Sequence, residues 1–254
     1  MTYTEPIIVA HRGLAGHAPE NSQAAYAAAL ELGLGLEIDL NVTADEHIVM
    51  IHDRSLERTT NGQGMVGEKT LEEIQALDAG SWFHSSFSDQ RVPTLEETLA
   101  LVCERRRVPT LIALDWKAQK PMEAEVCRLV RRYALFDQVV AIGLTNTSRE
   151  VRERFKEADT RLPTAVLVDA PEDWEQVIAD GSADWLYVRL FLPTRQQVCE
   201  AHQAGKRILQ GPPTMAMNPD GWQRVRESGT DAMLADYPLA CRREWSKKRG
   251  GTRG

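Results

Sequence analysis

The chain has 254 residues, of which 43% are hydrophobic, enough to build a sizeable core and to set disorder aside. Its formal net charge is −7. The tail from Arg242 to Gly254 holds six Lys/Arg and one Glu, so it carries about +5 and leaves about −12 for the rest, a balance that argues against nucleic acid as the main partner.

The four cysteines, Cys103, Cys127, Cys199 and Cys241, form no CxxC pair, so neither a disulfide framework nor a zinc site is expected. MTYTEPIIVA lacks the basic-then-apolar pattern of a signal peptide, and no run of about 18 apolar residues is present to span a membrane. A reduced, cytoplasmic setting is the expectation. A frayed, solvated end is expected for the basic tail 242–254.

In chain order, short apolar runs alternate with amphipathic stretches. Strands are predicted at 6–11, 35–39, 109–115, 138–144, 163–169, 184–190, 206–211 and 231–236. They are leucine-rich and β-branched with little alternation, as in parallel strands buried on both faces. Helices are predicted at 22–33, 94–106, 121–133, 147–158, 171–181, 193–205 and 219–229. Thr94 and Glu97 spell a capping box, and several helices open near Pro and close near Gly. Eight strands alternating with helices in about 250 residues predict a (β/α)8 TIM barrel forming one domain; a doubly wound open sheet is the alternative.

Two regions break the alternation. In GLEIDLNVTADEHIVMIHD only residues 44–46 separate two alternating segments, too few for a parallel crossover, so a hairpin is predicted. It pairs residue 39 with 51 and brings His52 beside Glu37 and Asp39. The stretch 54–93 is rich in Gly, Ser and Thr with one helical piece near 70–77, and reads as an insertion over the barrel mouth. Its Trp82, Phe83 and Phe87 suit a lid, an interface or a small satellite core.

Reactive residues in such a barrel gather at the C-terminal strand ends. His11 and Arg12 end the first strand. Glu37 and Asp39 end the second, two apart and so on one face. Asp115 ends the third, with Lys117 on the same side. Three carboxylates crowded together resist ionising, and a hard divalent cation, Mg²⁺ or Ca²⁺ with Mn²⁺ as a third choice, relieves them. Arg12 and Lys117 add positive charge suited to phosphate. Two histidines suit one base and one acid. The residues thus read as a metal-assisted phosphodiester-cleaving centre for a small molecule. His17, His47, His84 and His202 converge on nothing and are read as surface or loop residues.

HRG at 11–13, PEN at 19–21, ExD at 37–39, HD at 52–53, RTTNGQG at 58–64, LDAGSWF at 77–83 and VPTLEE at 92–97 together resemble the glycerophosphodiester phosphodiesterase family. The resemblance is dense over residues 7–117 and weaker beyond, where GTDAMLADYP at 229–238 is similar to the family's last strand. It implies a (β/α)8 barrel and metal-dependent hydrolysis of glycerophosphodiesters to sn-glycerol 3-phosphate and an alcohol. By motif it implies His11 and His52 as the acid–base pair and Glu37, Asp39 and Asp115 as metal ligands. Arg12, Lys117 and Asn21 would contact the phosphate side, with Asn21 also orienting groups near the metal or starting the first helix. Glu20 would support them from behind. Either histidine can serve as base, and either water or the substrate's own hydroxyl can attack.

Two departures stand out. The family's third metal ligand is usually Glu, here Asp115. The family's aromatic run near its seventh strand is replaced by LQGPPTMAMN at 209–218, so the alcohol or glycerol pocket is expected to differ. Trp116 either compensates or packs outward on a helix, and Gln210 and Arg189 are candidates to enter the pocket. A phosphodiesterase for another diester, such as a lysophospholipid, and a non-catalytic phosphometabolite-binding barrel stay as alternatives. The oligomeric state is open, a homo-oligomer included.

Overall fold

A computed structural model describes residues 5–117, 120–143, 148–211 and 218–247. Each of the eight predicted strands is present. They are β1 (Ile7–Ala10), β2 (Gly35–Val42), β4 (Ile112–Trp116), β5 (Val139–Ile142), β6 (Ala165–Val168), β7 (Trp185–Val188), β8 (Arg207–Gln210) and β9 (Ala232–Ala235). A further short strand, β3 (Ile48–Met50), returns antiparallel on β2. The hydrogen-bonded order is β5-β4-β2-β1-β9-β8-β7-β6, all parallel. A parallel bridge between Ala141 and Thr164 links the two ends, with Ala141 N donating to Pro163 O at 2.9 Å. The circle is therefore closed, which rules out the open doubly wound sheet.

Alternation along each strand sorts the core into an inside and an outside. Val9, Ala113, Val140, Ala165, Trp185, Tyr187, Leu209 and Leu234 belong to the cluster that fills the barrel. The intervening residues Leu36, Ile38, Leu40, Ile112 and Leu114 pack outward on the helices. This parity decides where each reactive side chain goes.

The helices are α1 (Gln23–Glu31), α2 (Leu71–Gln75), α3 (Leu95–Arg105), α4 (Glu123–Arg132), α5 (Arg149–Ala158), α6 (Trp174–Ala179), α7 (Arg195–Gln203), α8 (Pro219–Ser228) and α9 (Pro238–Ser246). Capping boxes start α2, α3 and α7, each satisfying two backbone donors that a helix start leaves free. The last helix corrects the frayed-end reading for residues 242–246. Cys241 and Trp245 are buried on its inner face, and Trp245 Nε1 donates to Trp222 O at 2.9 Å. Its exposed face carries the arginines, and that face dominates the composition. Residues 248–254 lie outside the described residues.

The hairpin has the expected register. Leu40 pairs with Met50 and Val42 with Ile48, and Ile51 N donates to Asp39 O at 3.1 Å. The stretch that follows builds its own aliphatic core from Val49, Ile51, Leu56, Val66, Ile74, Ala79 and Val92. Trp82, Phe83 and Phe87 are outside that core. They form an edge-on row, with ring centroids 5.8 and 5.7 Å apart, and Trp82 stays 40% exposed.

Candidate active site

The first strand ends in a loop that turns sharply. Arg12 and Asn21 both take positive φ, +54° in each case, a region costly for residues with a side chain and usually tolerated where surroundings enforce it. Gly13 follows at φ +78°, and a Cβ there would lie 2.9 Å from Ala25 of α1. The loop is clasped by Asn21 N donating to Arg12 O at 3.1 Å. Its strained residues are the ones that touch the carboxylates.

Glu37, Asp39 and Asp115 lie on inward-facing positions. Asp39 and Asp115 are register partners on neighbouring strands. Each of the three offers an oxygen, and these atoms all lie within 4.8 Å of one another. Glu37 and Asp39 are fully buried and Asp115 nearly so. Their partners account for only part of the lone pairs. Glu37 Oε2 accepts from Arg12 N at 2.8 Å, and Asp39 Oδ2 accepts from Asn21 Nδ2 at 2.8 Å. Asp115 Oδ2 accepts from Lys117 Nζ at 2.8 Å. Glu37 Oε1, Asp39 Oδ1 and Asp115 Oδ1 are buried without a hydrogen bond. Burial pushes the Glu37 carboxyl well above its ordinary range, and the charges of Asp39 and Asp115 push it further. Burial also raises Asp115, against the pull of Lys117. Three unsatisfied oxygens, all hard donors and mutually repelling, fit a divalent cation.

Positive charge stands around this cluster. Lys117 Nζ is 3.4 Å from Asp39 Oδ1, and Arg12 Nε is 3.4 Å from Asp39 Oδ2. Burial works against the Lys117 charge, but Asp115 and Asp39 outweigh it and hold the ammonium above its ordinary value. The Arg12 guanidinium also donates from Nη1 to Glu20 Oε1 at 2.9 Å.

Both histidines stand on the rim, each fixed through Nδ1 by a carboxylate. His11 Nδ1 lies 2.5 Å from Asp236 Oδ1, and its Nε2 lies 4.0 Å from Glu37 Oε2. His52 Nδ1 lies 2.7 Å from Asp53 Oδ1. With Nδ1–H donating to a carboxylate, Nε2 is the nitrogen left for chemistry. Asp53 is held down to about 2, chiefly by its bond from Arg58, against burial and with help from His52. Arg58 Nε donates to Asp53 at 2.5 Å, and both its terminal nitrogens donate to Glu20 at 2.8 Å. A continuous chain of hydrogen bonds thus runs His52–Asp53–Arg58–Glu20–Arg12, tying Arg58 of the 54–93 stretch to the loop after β1.

Residues 11–240 match the glycerophosphoryl diester phosphodiesterase family. The chain belongs to that family. Among its relatives, the Bacillus subtilis protein YhdW is 40% identical over 162 residues, 63% of this chain and 65% of that one. The glycerophosphodiester phosphodiesterase of Caldanaerobacter subterraneus subsp. tengcongensis is 36% identical over 150 residues, 58% of this chain and 62% of that one. The chain thus spans somewhat under two thirds of either protein's length. A glycerophosphodiester phosphodiesterase from Agrobacterium tumefaciens superposes with a TM-score of 0.77 at 27% identity, covering 92% of this chain and 97% of that one. An Oleispira antarctica phosphodiesterase, solved with its product sn-glycerol-3-phosphate, superposes at 0.79 and 24% identity, covering 96% and 98%. This last likeness is one of fold.

His11, Arg12, Asn21, Glu37, Asp39, His52, Asp115 and Lys117 come together at the barrel mouth, whereas Trp116 and Gln210 turn away from it. Asn21 does not cap the first helix; Ser22 does, accepting from Ala25 N. The Asn21 side chain is spent on Asp39 and on the Tyr26 hydroxyl, which donates to its Oδ1 at 2.7 Å. Trp116 faces outward and meets Phe155 edge-on at 5.7 Å, so it does not line the pocket. Gln210 also faces out, its Nε2 donating to the carbonyls of Val188, Phe191 and Gly211. Within the segment at 209–218, residues 212–217 lie outside the described residues.

Sequence reasoning missed Asp236, Asp53 and Arg58. Parity would have found Asp236, which shares a face with Ala232 and Leu234. Arg58 lies in a stretch without regular structure, and only its place at the head of RTTNGQG marks it in the sequence. His47, His84 and His202 pair locally, with Asp45, the backbone of Ser86 and Asp231.

Proposed function

We propose that this chain hydrolyses glycerophosphodiesters to sn-glycerol 3-phosphate and an alcohol by acid–base catalysis between His11 and His52. The observation that carries the reading is the pairing of each imidazole with its own carboxylate, Asp236 and Asp53, on the rim above three carboxylates with unsatisfied oxygens. A barrel that only held a phosphorylated metabolite would have no use for two imidazoles fixed in this way.

Glu37, Asp39 and Asp115 would hold a divalent cation, Mg²⁺, Ca²⁺ or Mn²⁺, which when bound polarises the phosphoryl oxygens. Arg12 and Lys117 bind and orient the phosphodiester anion. Asn21 is a positioning residue, holding Asp39. One histidine takes the proton of the attacking hydroxyl at Nε2, and the other gives its proton to the leaving alkoxide. Asp236 and Asp53 fix the tautomers and stabilise the imidazolium forms. The shorter Asp115 side chain would serve as third ligand in place of the family's Glu. Four unpaired cysteines and the lack of a membrane-crossing helix among the described residues support a cytoplasmic setting.

The test is release of sn-glycerol 3-phosphate from glycerophosphocholine by His11→Ala and His52→Ala. Loss of release in both supports the assignment, and a full rate in either overturns it. A cyclic phosphate appearing first by phosphorus NMR would mark the substrate's own hydroxyl as the attacking group.

A further inference from the structure

Opposite His11 and Arg12, three neighbouring strands end at the mouth in register. Val168 pairs with Val188, and Val188 with Gln210. The next residues, Asp169, Arg189 and Gly211, therefore stand side by side, on the inward parity of Leu167, Tyr187 and Leu209. Arg189 Nε donates to Asp169 Oδ1 at 3.1 Å and Nη2 to Oδ2 at 2.8 Å. Its Nη1 has no partner among the described residues. One layer deeper is Tyr187, 5% exposed, and its hydroxyl makes no hydrogen bond to any described residue. Glu37 and Asp115 both act electrostatically on Tyr187, and Asp115 also acts on Arg189. The group therefore borders the carboxylate cluster.

Gly211 makes this arrangement fit. A Cβ there would lie 2.8 Å from Arg189 Cγ and 2.9 Å from the Tyr187 ring. Any larger residue at 211 would displace both. The Tyr187 hydroxyl, without a partner among the described residues, can bond to a ligand hydroxyl at the mouth. The Arg189–Asp169 pair is charge-compensated, so an incoming anion would meet the carboxylate. A neutral polyol would instead accept from Nη1 and donate to the carboxylate lone pairs.

We propose that Tyr187, Arg189 and Asp169 form a subsite that binds the free hydroxyls of the glycerol moiety. This rests on the phosphodiesterase reading above and names the residues that give it glycerol selectivity. Tyr187 supplies one hydroxyl contact at the inner end. Arg189 and Asp169 supply a donor and an acceptor at the rim.

The experiment is calorimetric binding of sn-glycerol 3-phosphate and of propyl phosphate, which lacks the two hydroxyls, to the full chain loaded with divalent metal. The wild-type protein is expected to prefer glycerol 3-phosphate by about tenfold or more, and Tyr187→Phe and Arg189→Met each to lower that ratio by about three- to tenfold. Tyr187→Phe keeps the ring and its packing, so it separates the hydroxyl from the fold. No preference in the wild type, or an unchanged ratio in both variants, overturns the subsite and leaves the phosphodiesterase reading standing. Tighter binding of 3-phosphoglycerate than of glycerol 3-phosphate overturns it in favour of an anion site. Binding of neither phosphate to the wild type overturns both readings.

Discussion

Replacing Glu37 with Gln is expected to stabilise the metal-free protein while removing its response to metal. The three carboxylates present oxygens within 4.8 Å of one another, and two unit charges at that distance repel by about 3.5 kcal/mol at an effective dielectric of about 20. Glu37 has two such neighbours. Lys117 and Arg12 offset part of the repulsion, and protonation relieves more, so a net gain of about 1–3 kcal/mol is expected for the neutral amide. Gln keeps a carbonyl to accept from Arg12 N and gains donors toward Asp39 and Asp115. At about 2–4 °C per kcal/mol for a chain of this size, the melting midpoint in chelator rises by about 2–12 °C.

Saturating metal at about 100 times its dissociation constant adds about 2.7 kcal/mol to the wild type and far less to Glu37→Gln. The pH dependence has a definite sign. Burial raises the folded carboxyl above its ordinary value of 4.5, so the native state holds its proton longer than the unfolded chain does. Its contribution is intact below that value and is lost as pH rises toward the folded one. The advantage of Glu37→Gln in chelator is therefore near zero below about pH 4 and grows toward neutrality. Differential scanning calorimetry with chelator and with Mg²⁺, Ca²⁺ or Mn²⁺ measures both effects. A metal-free variant that melts below the wild type, or one that gains as much from metal, would refute the reasoning.

Three other predictions follow from particular contacts. Asp236→Asn removes the carboxylate that fixes His11 Nδ1, and is expected to lower kcat about ten- to a hundredfold with little change in KM, as steady-state kinetics will report. Trp245→Ala opens a cavity between α8 and α9 and is expected to cost about 3–5 kcal/mol in denaturant unfolding, where a truly frayed end would cost almost nothing. In the native protein a thiol reagent should label Cys103 and Cys199, which are exposed, and spare Cys127 and Cys241. Burial pushes those two up to about 11 and about 12, and they should react only after unfolding.

The fold was legible because parallel strands buried on both faces leave continuous apolar runs, and the hairpin because three turn residues cannot make a crossover. Glu37, Asp39, Asp115 and the two histidines were legible because a barrel places strand ends together. Their supporting groups were not, for different reasons. Asp236 obeyed strand alternation but sat in no dense pattern of reactive residues. Arg58 reaches Glu20 from a stretch without period, and only three-dimensional structure brings it there. Gln210 and Trp116 each neighbour a pocket residue in sequence, yet alternation turns them away from it. The last helix was hidden by its charged outer face.

The most direct test of the central claim is glycerol 3-phosphate release after metal stripping. The chelated protein would be assayed on glycerophosphocholine and glycerophosphoethanolamine, then given Mg²⁺, Ca²⁺ or Mn²⁺ in turn, with Asp39→Asn alongside. The account predicts no release in chelator, restored release with at least one ion, and none from the variant. Release that is indifferent to metal, or undiminished in Asp39→Asn, would contradict it.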